Sequence, residues 1–300
     1  MLRIFGLLLL IALAGLTAPQ SPVLQGVIDI HAHCDPDSVP RSIDAIDLAK
    51  LARARGMRGL VLKNHYEPTA SLAYIVGQQV PGLEVFGGID LNRAVGGINP
   101  AAVEHMTRVK GGLGRIVWMP TFDAENQVRY SKENRPFVSV SHNGKLLPQV
   151  KEIIRLIARN RLVLATGHSS PGECLLLIRE GRSQGVQQIV ATHAMLAPVG
   201  MTVAQMQEAA KLGAYIEFVY NALIGPNKSF DSAQYADAIR KIGVEHCILS
   251  SDLGQVGNPL HPDGLLAFFA ALRGHSFTER EIDRMSKENP ARLLGLNIRP

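Results

Sequence analysis

Two histidines separated by one residue, His31 and His33, lie in the segment Gly26-Val-Ile-Asp-Ile-His-Ala-His-Cys-Asp-Pro36. Val27, Ile28 and Ile30 form a short apolar, β-branched run that predicts a buried strand. Alternate residues of a strand share a face, so both imidazoles can point at one spot. Imidazole nitrogens that converge in this way are good ligands for a divalent transition metal. An HxH pair alone is weak, because a surface pair has the same spacing. Here the same event, an apolar strand ending in His or Asp, recurs along the chain.

The elements needed to position such residues are present in alternation. Strands are expected over 27–33, 59–64, 84–91, 115–119, 162–166, 188–192, 214–218 and 247–251. Amphipathic stretches of helical period lie between them, among them 43–55, 150–159, 203–212 and 233–242. Eight strand–helix units predict an α/β fold, a (β/α)8 TIM barrel, in preference to an open doubly wound sheet. Of the 300 residues, 46% are hydrophobic, enough for one large core, and no linker marks a second domain. The longest interruption, 121–146, contains His142-Asn-Gly-Lys145 and is expected to carry a small hairpin with an Asn-Gly turn.

Chemistry in such a barrel sits where strands end and loops begin at the C-terminal face. The strand ends carry His31 and His33, then Lys63, Asn64 and His65, then Asp123 beyond the fourth. His168 and His193 follow the fifth and sixth, and Asp252 ends the eighth, with His261 and Asp263 in its loop. Arg93, His142, Tyr220 and Asn221 are further candidates to line the site. His105, His246 and His275 fall on or near helices.

In this order of motifs the chain resembles the metal-dependent hydrolases of the amidohydrolase superfamily, as an uncharacterised branch. The resemblance rests on Asp-x-His-x-His at the first strand, His168 at the fifth, His193 at the sixth and Asp252 at the eighth. The closing Asn289-Pro-Ala-Arg-Leu-Leu-Gly-Leu296 matches as well. It implies that His31, His33 and Asp252 hold a divalent metal, Zn2+ by default. His168 and His193 would complete that site or hold a second ion. A metal held by such ligands keeps a position for water and lowers its pKa to about 7, and Asp252 would carry the proton. Binuclear members carry a bridging carboxylated Lys or a Glu at the fourth strand, where this chain has Met119-Pro120-Thr121. Asp123 or Glu125 could substitute. Lys63 could itself be a carboxylated bridge, a cation that grips a substrate carboxylate or phosphate, or a surface residue. His65 and His261 are expected as substrate contacts, and Asp263 as the cap of the last long helix.

The implied reaction is cleavage of a C–N or C–O bond in a cyclic amide, lactone or ester by metal-activated water. A mononuclear lyase or decarboxylase, a phosphoesterase, and a non-catalytic metal- or ligand-binding envelope protein are the alternatives. A small-molecule partner is expected. Formal net charge is +5, but no Lys/Arg run interleaved with aromatics points to nucleic acid. Residues 1–18 read as a signal peptide, with Arg3, an uncharged apolar stretch over 4–16, and Ala12-Leu-Ala14 or Leu16-Thr-Ala18 as cleavage sites. An exported protein with a single barrel domain over 19–300 follows, or one anchored by an uncleaved N-terminus. The three cysteines, Cys34, Cys174 and Cys247, have no CxxC spacing and are expected to be structural.

Overall fold

A computed structural model describes residues 22–298; the expected signal peptide lies outside the described residues. Eight parallel strands run in sequence order: β1 (Ile28–His33), β2 (Gly59–Lys63), β3 (Glu84–Asp90), β4 (Gly114–Trp118), β5 (Val163–Ala165), β6 (Gln188–Ala191), β7 (Tyr215–Val219) and β8 (Cys247–Ser250). The strand expectations hold to within a residue or two at each end. The barrel closes near its C-terminal rim, where Ala32 bridges Leu253 and the Asp252 amide donates to the His31 carbonyl at 2.9 Å.

The principal helices are α1 (Ala45–Ala54), α2 (Ala70–Gln79), α3 (Pro100–Arg108), α4 (Glu125–Tyr130), α5 (Pro148–Arg159), α6 (Pro171–Ser183), α7 (Val203–Lys211), α8 (Ser232–Ile242) and α9 (His261–Gly274). Helix α5 illustrates their logic. Pro148 occupies the first turn, and Val150, Ile153, Ile154 and Ile157 recur at helical spacing and are fully buried against the sheet. Ser170 and Glu173 form a capping box that starts α6 directly after the β5 loop. The 121–146 interruption holds the expected hairpin, Ser141–His142 against Lys145–Leu146. Its turn residues Asn143 and Gly144 have φ of 49° and 72°. It also holds α4, which its single buried apolar residue, Val128, had not announced.

The core has two layers. An outer one lies between strands and helices, and an inner one fills the lumen with Ile28, Ile30, Val61, Ile116, Trp118, Val190 and Ile248. The lumen is plugged by Ala291, Leu293 and Leu294 from the C-terminal helical run. Asn289 locks that plug by donating to the carbonyls of Val244 and Cys247, at 2.9 and 2.7 Å. All three cysteines are free and buried. Among the described residues no helix is long and apolar enough to cross a membrane.

Candidate metal centre

Strict alternation along β1 would set Ile28 and Ile30 on one face and His31 and His33 on the other. A shift in the β1–β2 register resolves this. Ile28 and Asp29 pair with Gly59 and Leu60, whereas Ala32 and His33 pair with Leu62 and Lys63, so two residues oppose Val61. The bulge lets Ile28 and Ile30 fill the lumen while His31 and His33 turn inward one level higher. Asp29 faces the seam to β8, where one oxygen accepts the amides of His31 and Ser251, both at 3.1 Å. Burial pushes its carboxyl up to about 6.

At the rim, His31 Nε2 and His33 Nε2 lie 3.1 and 3.3 Å from the same oxygen of Asp252. The candidate ligand atoms of these three residues all fall within 4.8 Å of one another. The far nitrogens are committed elsewhere. His31 Nδ1 donates to Glu217 at 3.1 Å, and His33 Nδ1 donates to the Lys63 carbonyl at 3.1 Å. Burial, only partly opposed by Asp252, holds His33 well below its ordinary pKa, so the ring is neutral. Its Nε2 is therefore a bare lone pair facing a carboxylate, an arrangement that calls for a cation between them. Burial alone would lower His31, yet Asp252 and Glu217 drive it up to about 10. Burial would raise the Asp252 carboxyl, but His31 and His33 pull it well below the carboxylate range. Two imidazoles, that of His31 giving up its Nε2 proton on binding, and an ionised carboxylate with oriented outer hydrogen bonds fit a divalent ion. Asn221 steadies the other Asp252 oxygen at 3.3 Å and is itself held by Asn258 at 3.2 Å. Asp252 adopts a positive φ of 50°, a strain of the kind found where a side chain must be aimed.

The second pair lies alongside. His168 Nε2 and His193 Nε2 are 3.1 Å apart. His168 Nδ1 donates to Gln127 at 2.8 Å, which leaves its Nε2 as an acceptor. Burial keeps both rings below their ordinary pKa, reinforced at His168 by the neighbouring His193. His193 has a φ of 26°, and its Nδ1 has no partner.

The third wall is a buried polar cluster. Lys63 Nζ donates to Asp90 at 2.7 Å, and Thr121 and His65 sit 3.1 and 3.2 Å from the same carboxylate oxygen. Asn92 ties the cluster to the backbone of His65 and Thr121. The pairing is one that an ammonium makes. A carbamate there would set a second anion against Asp90. Asp123 and Glu125 do not replace the bridge, since Arg135 and the Arg93 amide hold Asp123 while Arg129 and Ser139 hold Glu125. His65 stacks on His33 with ring centroids 4.8 Å apart, and Phe122, 40% exposed, covers it from the solvent side at 4.1 Å.

Other placements differ from expectation. His261 does not overhang the site. It is the first residue of α9 and wholly buried, its ring set beside the backbone of His33 and Leu253. Gly264 of the same turn packs so closely on Leu253 that this end of the helix is drawn inward. Asp263 is no cap; the N-cap position is Leu260, which makes no side-chain cap, and Asp263 pairs with Arg55 at 2.9 Å. His142 is exposed in the hairpin. Glu217, Asp90, Asn92 and Thr121 were missed. The signal for Glu217 and Asp90 was an acid inside or ending an otherwise apolar strand. A groove of about 770 Å3 lies at the opposite end of the barrel, lined by Gly26, Arg58 and Lys287, and is remote from these ligands.

A model of the family described as a family of unknown function, DUF6282, matches residues 26–217. The chain belongs to the DUF6282 family. No curated protein matches it. Solved structures share the barrel of this DUF6282 member. An amidohydrolase from Pseudomonas aeruginosa is 12% identical with a TM-score of 0.62, over 91% of this chain and 96% of that one. Organophosphorus hydrolase from Deinococcus radiodurans is 17% identical with a TM-score of 0.59, over 91% and 94%. A putative 2-pyrone-4,6-dicarboxylic acid hydrolase from Pseudomonas putida is 16% identical with a TM-score of 0.56, over 91% and 99%. At these identities the likeness is one of fold, and at that level the resemblance drawn from the motifs holds.

Proposed function

We propose that this DUF6282 chain is a metal-dependent hydrolase that uses activated water to open a C–N or C–O bond at a carbonyl, as in a cyclic amide, lactone or ester. The observation that carries the reading is the meeting of the His31 and His33 Nε2 atoms on one oxygen of Asp252. A divalent ion at these ligands, with Zn2+ the default for such donors, supplies a Lewis acid and brings the pKa of a coordinated water to about 7. Asp252 is ionised at neutral pH and is the group we assign to take the proton of the attacking water and return it to the leaving group. Neutral His168 and His193 line the adjoining wall and are assigned to the substrate's carbonyl side. His65, beneath Phe122, is assigned to the substrate itself. The names of the solved structures that share this fold support hydrolysis as the reaction class. The pairing of Lys63 with Asp90 favours one ion per chain over a bridged pair. It also removes Lys63 as a free grip for a substrate carboxylate, which counts against the lyase alternative. Residues 1–18 support export of the mature domain.

The test is metal content per chain by elemental mass spectrometry on protein purified without chelator, beside a screen of lactones, esters and cyclic amides. About one ion per chain and turnover of a carbonyl substrate, both lost in Asp252→Asn, are expected. No bound ion after reconstitution with Zn2+ or Mn2+ would overturn the reading.

A further inference from the structure

Glu217 is placed where a carboxylate is expensive. It is the middle residue of β7, flanked by Ile216 and Phe218, which pack in the outer layer, so alternation turns it into the lumen. It is 3% exposed, and no Lys or Arg pairs with it among the described residues. A buried carboxylate is tolerated only when hydrogen bonds and opposite charge offset its desolvation.

Its two oxygens find partners on β1 and in the loop after β6. Oε1 accepts from His31 Nδ1 at 3.1 Å, and Oε2 accepts from the His193 backbone amide at 2.9 Å. The first contact keeps His31 Nδ1 protonated and turns Nε2 to Asp252. The second holds the backbone of His193 in a positive-φ conformation that a non-glycine residue adopts only under constraint. The side chain that orients a member of one histidine pair therefore also pins a member of the other.

We infer that Glu217 is a positioning residue that couples the His31/His33/Asp252 centre to the His168/His193 pair. The inference rests on the proposed metal-centre reading and extends it, because it makes cation affinity at the first group depend on the second through one carboxylate. Both partners of Glu217 are donors, and Oε2 also lies 3.3 Å from His31 Nδ1, so an isosteric amide offers them one acceptor oxygen in place of two. In Glu217→Gln the His31 and His193 N–H groups must share that single oxygen, or one of them must face the amide NH2, and the carboxylate charge is lost.

The experiment compares wild type with Glu217→Gln and Glu217→Asp, each first checked for native circular dichroism. Zn2+ affinity is measured by chelator competition, and the ring nitrogens of His31 and His193 are followed by NMR in metal-free and Zn2+-loaded protein. The expected result for Glu217→Gln is a 10- to 100-fold weaker Zn2+ affinity, the scale for loss of an outer hydrogen bond to a ligating histidine. The His31 and His193 resonances should move together, and the affinity loss should shrink when His193 is already Ala. Glu217→Asp keeps the charge and should lie between. Wild-type Zn2+ affinity with unmoved resonances in Glu217→Gln overturns the inference, as does movement of one ring without the other. If wild type binds no Zn2+, the metal-centre reading fails. The paired shift in metal-free protein then still decides the coupling.

Discussion

Lys63 Nζ lies 2.7 Å from an oxygen of Asp90, and neither side chain is more than 1% exposed. Trp118 lies under the cation at 5.2 Å from the ring centroid. Removing one member of such a pair leaves an uncompensated charge in the wall of the site, at a cost of roughly 3–5 kcal/mol. Lys63→Met and Asp90→Asn are each expected to lose stability on that scale in denaturant titration. The double variant should lose less than the sum, because it leaves no orphaned charge. Metal content should be the same with and without added bicarbonate, since a paired ammonium has no call for carboxylation. Bicarbonate-dependent metal loading would restore Lys63 as a bridging ligand.

The second histidine pair is distinct from the first ligand group, which contains only His31, His33 and Asp252 among the described residues. Replacement of His168 by Ala is therefore expected to leave one ion per chain while turnover of a screened carbonyl substrate falls. Elemental analysis paired with steady-state kinetics separates the two effects. A fall of one full ion on loss of His168 would mean that this pair holds a metal of its own.

The barrel was legible because all eight strands are short, buried runs, and strand ends were visible as the points where an apolar run meets a His, Lys or Asp. HxH spacing signalled His31 and His33, yet the bulge that turns them inward was invisible, since Ile28, Ile30, His31 and His33 read equally well as a regular strand. Glu217 and Asp90 stand out in the sequence only as acids in apolar strands, and a single acid in a strand carries no periodic signal. Their partners, His31 and Lys63, lie 186 and 27 residues away. His261 begins α9 rather than lying in the preceding loop, and the sequence hides this for a related reason: a loop histidine and a helix-initial one look alike until Leu253 packs on Gly264.

Burial pulls the pKa of His261 down to about 4. Above pH 6.5 the ring is neutral in both folded and unfolded chains and has no effect on the pH dependence. Between pH 6.5 and 4 the unfolded chain binds the proton and the folded one does not, so stability falls as pH falls. The full difference is on the order of 3 kcal/mol. His261→Leu is expected to flatten the fall of Tm across this window in metal-free protein. Asp29 works in the opposite sense: its carboxyl, raised to about 6, favours the folded state below its unfolded value and loses that advantage as pH rises through 6. An unchanged slope in His261→Leu would mean that other groups govern acid unfolding.

Gly88 is the point where β3 makes room for the site. A Cβ there would lie 2.2 Å from the Ile116 carbonyl and 2.5 Å from the Trp118 ring. The carbonyl belongs to the neighbouring strand, so the added methyl must part β3 from β4 as well as displace the indole. Trp118 is the sole tryptophan of the chain, packs in the lumen, and lies 6.4 Å from the His31 ring between centroids. Gly88→Ala is therefore expected to lose about 1–3 kcal/mol through overpacking. It should shift tryptophan emission to longer wavelength as the indole leaves its apolar setting. The same fluorophore, beside a candidate ligand, should report Zn2+ addition in wild type and respond less in the variant. Wild-type emission and stability in Gly88→Ala would show that the indole does not depend on the space this glycine leaves.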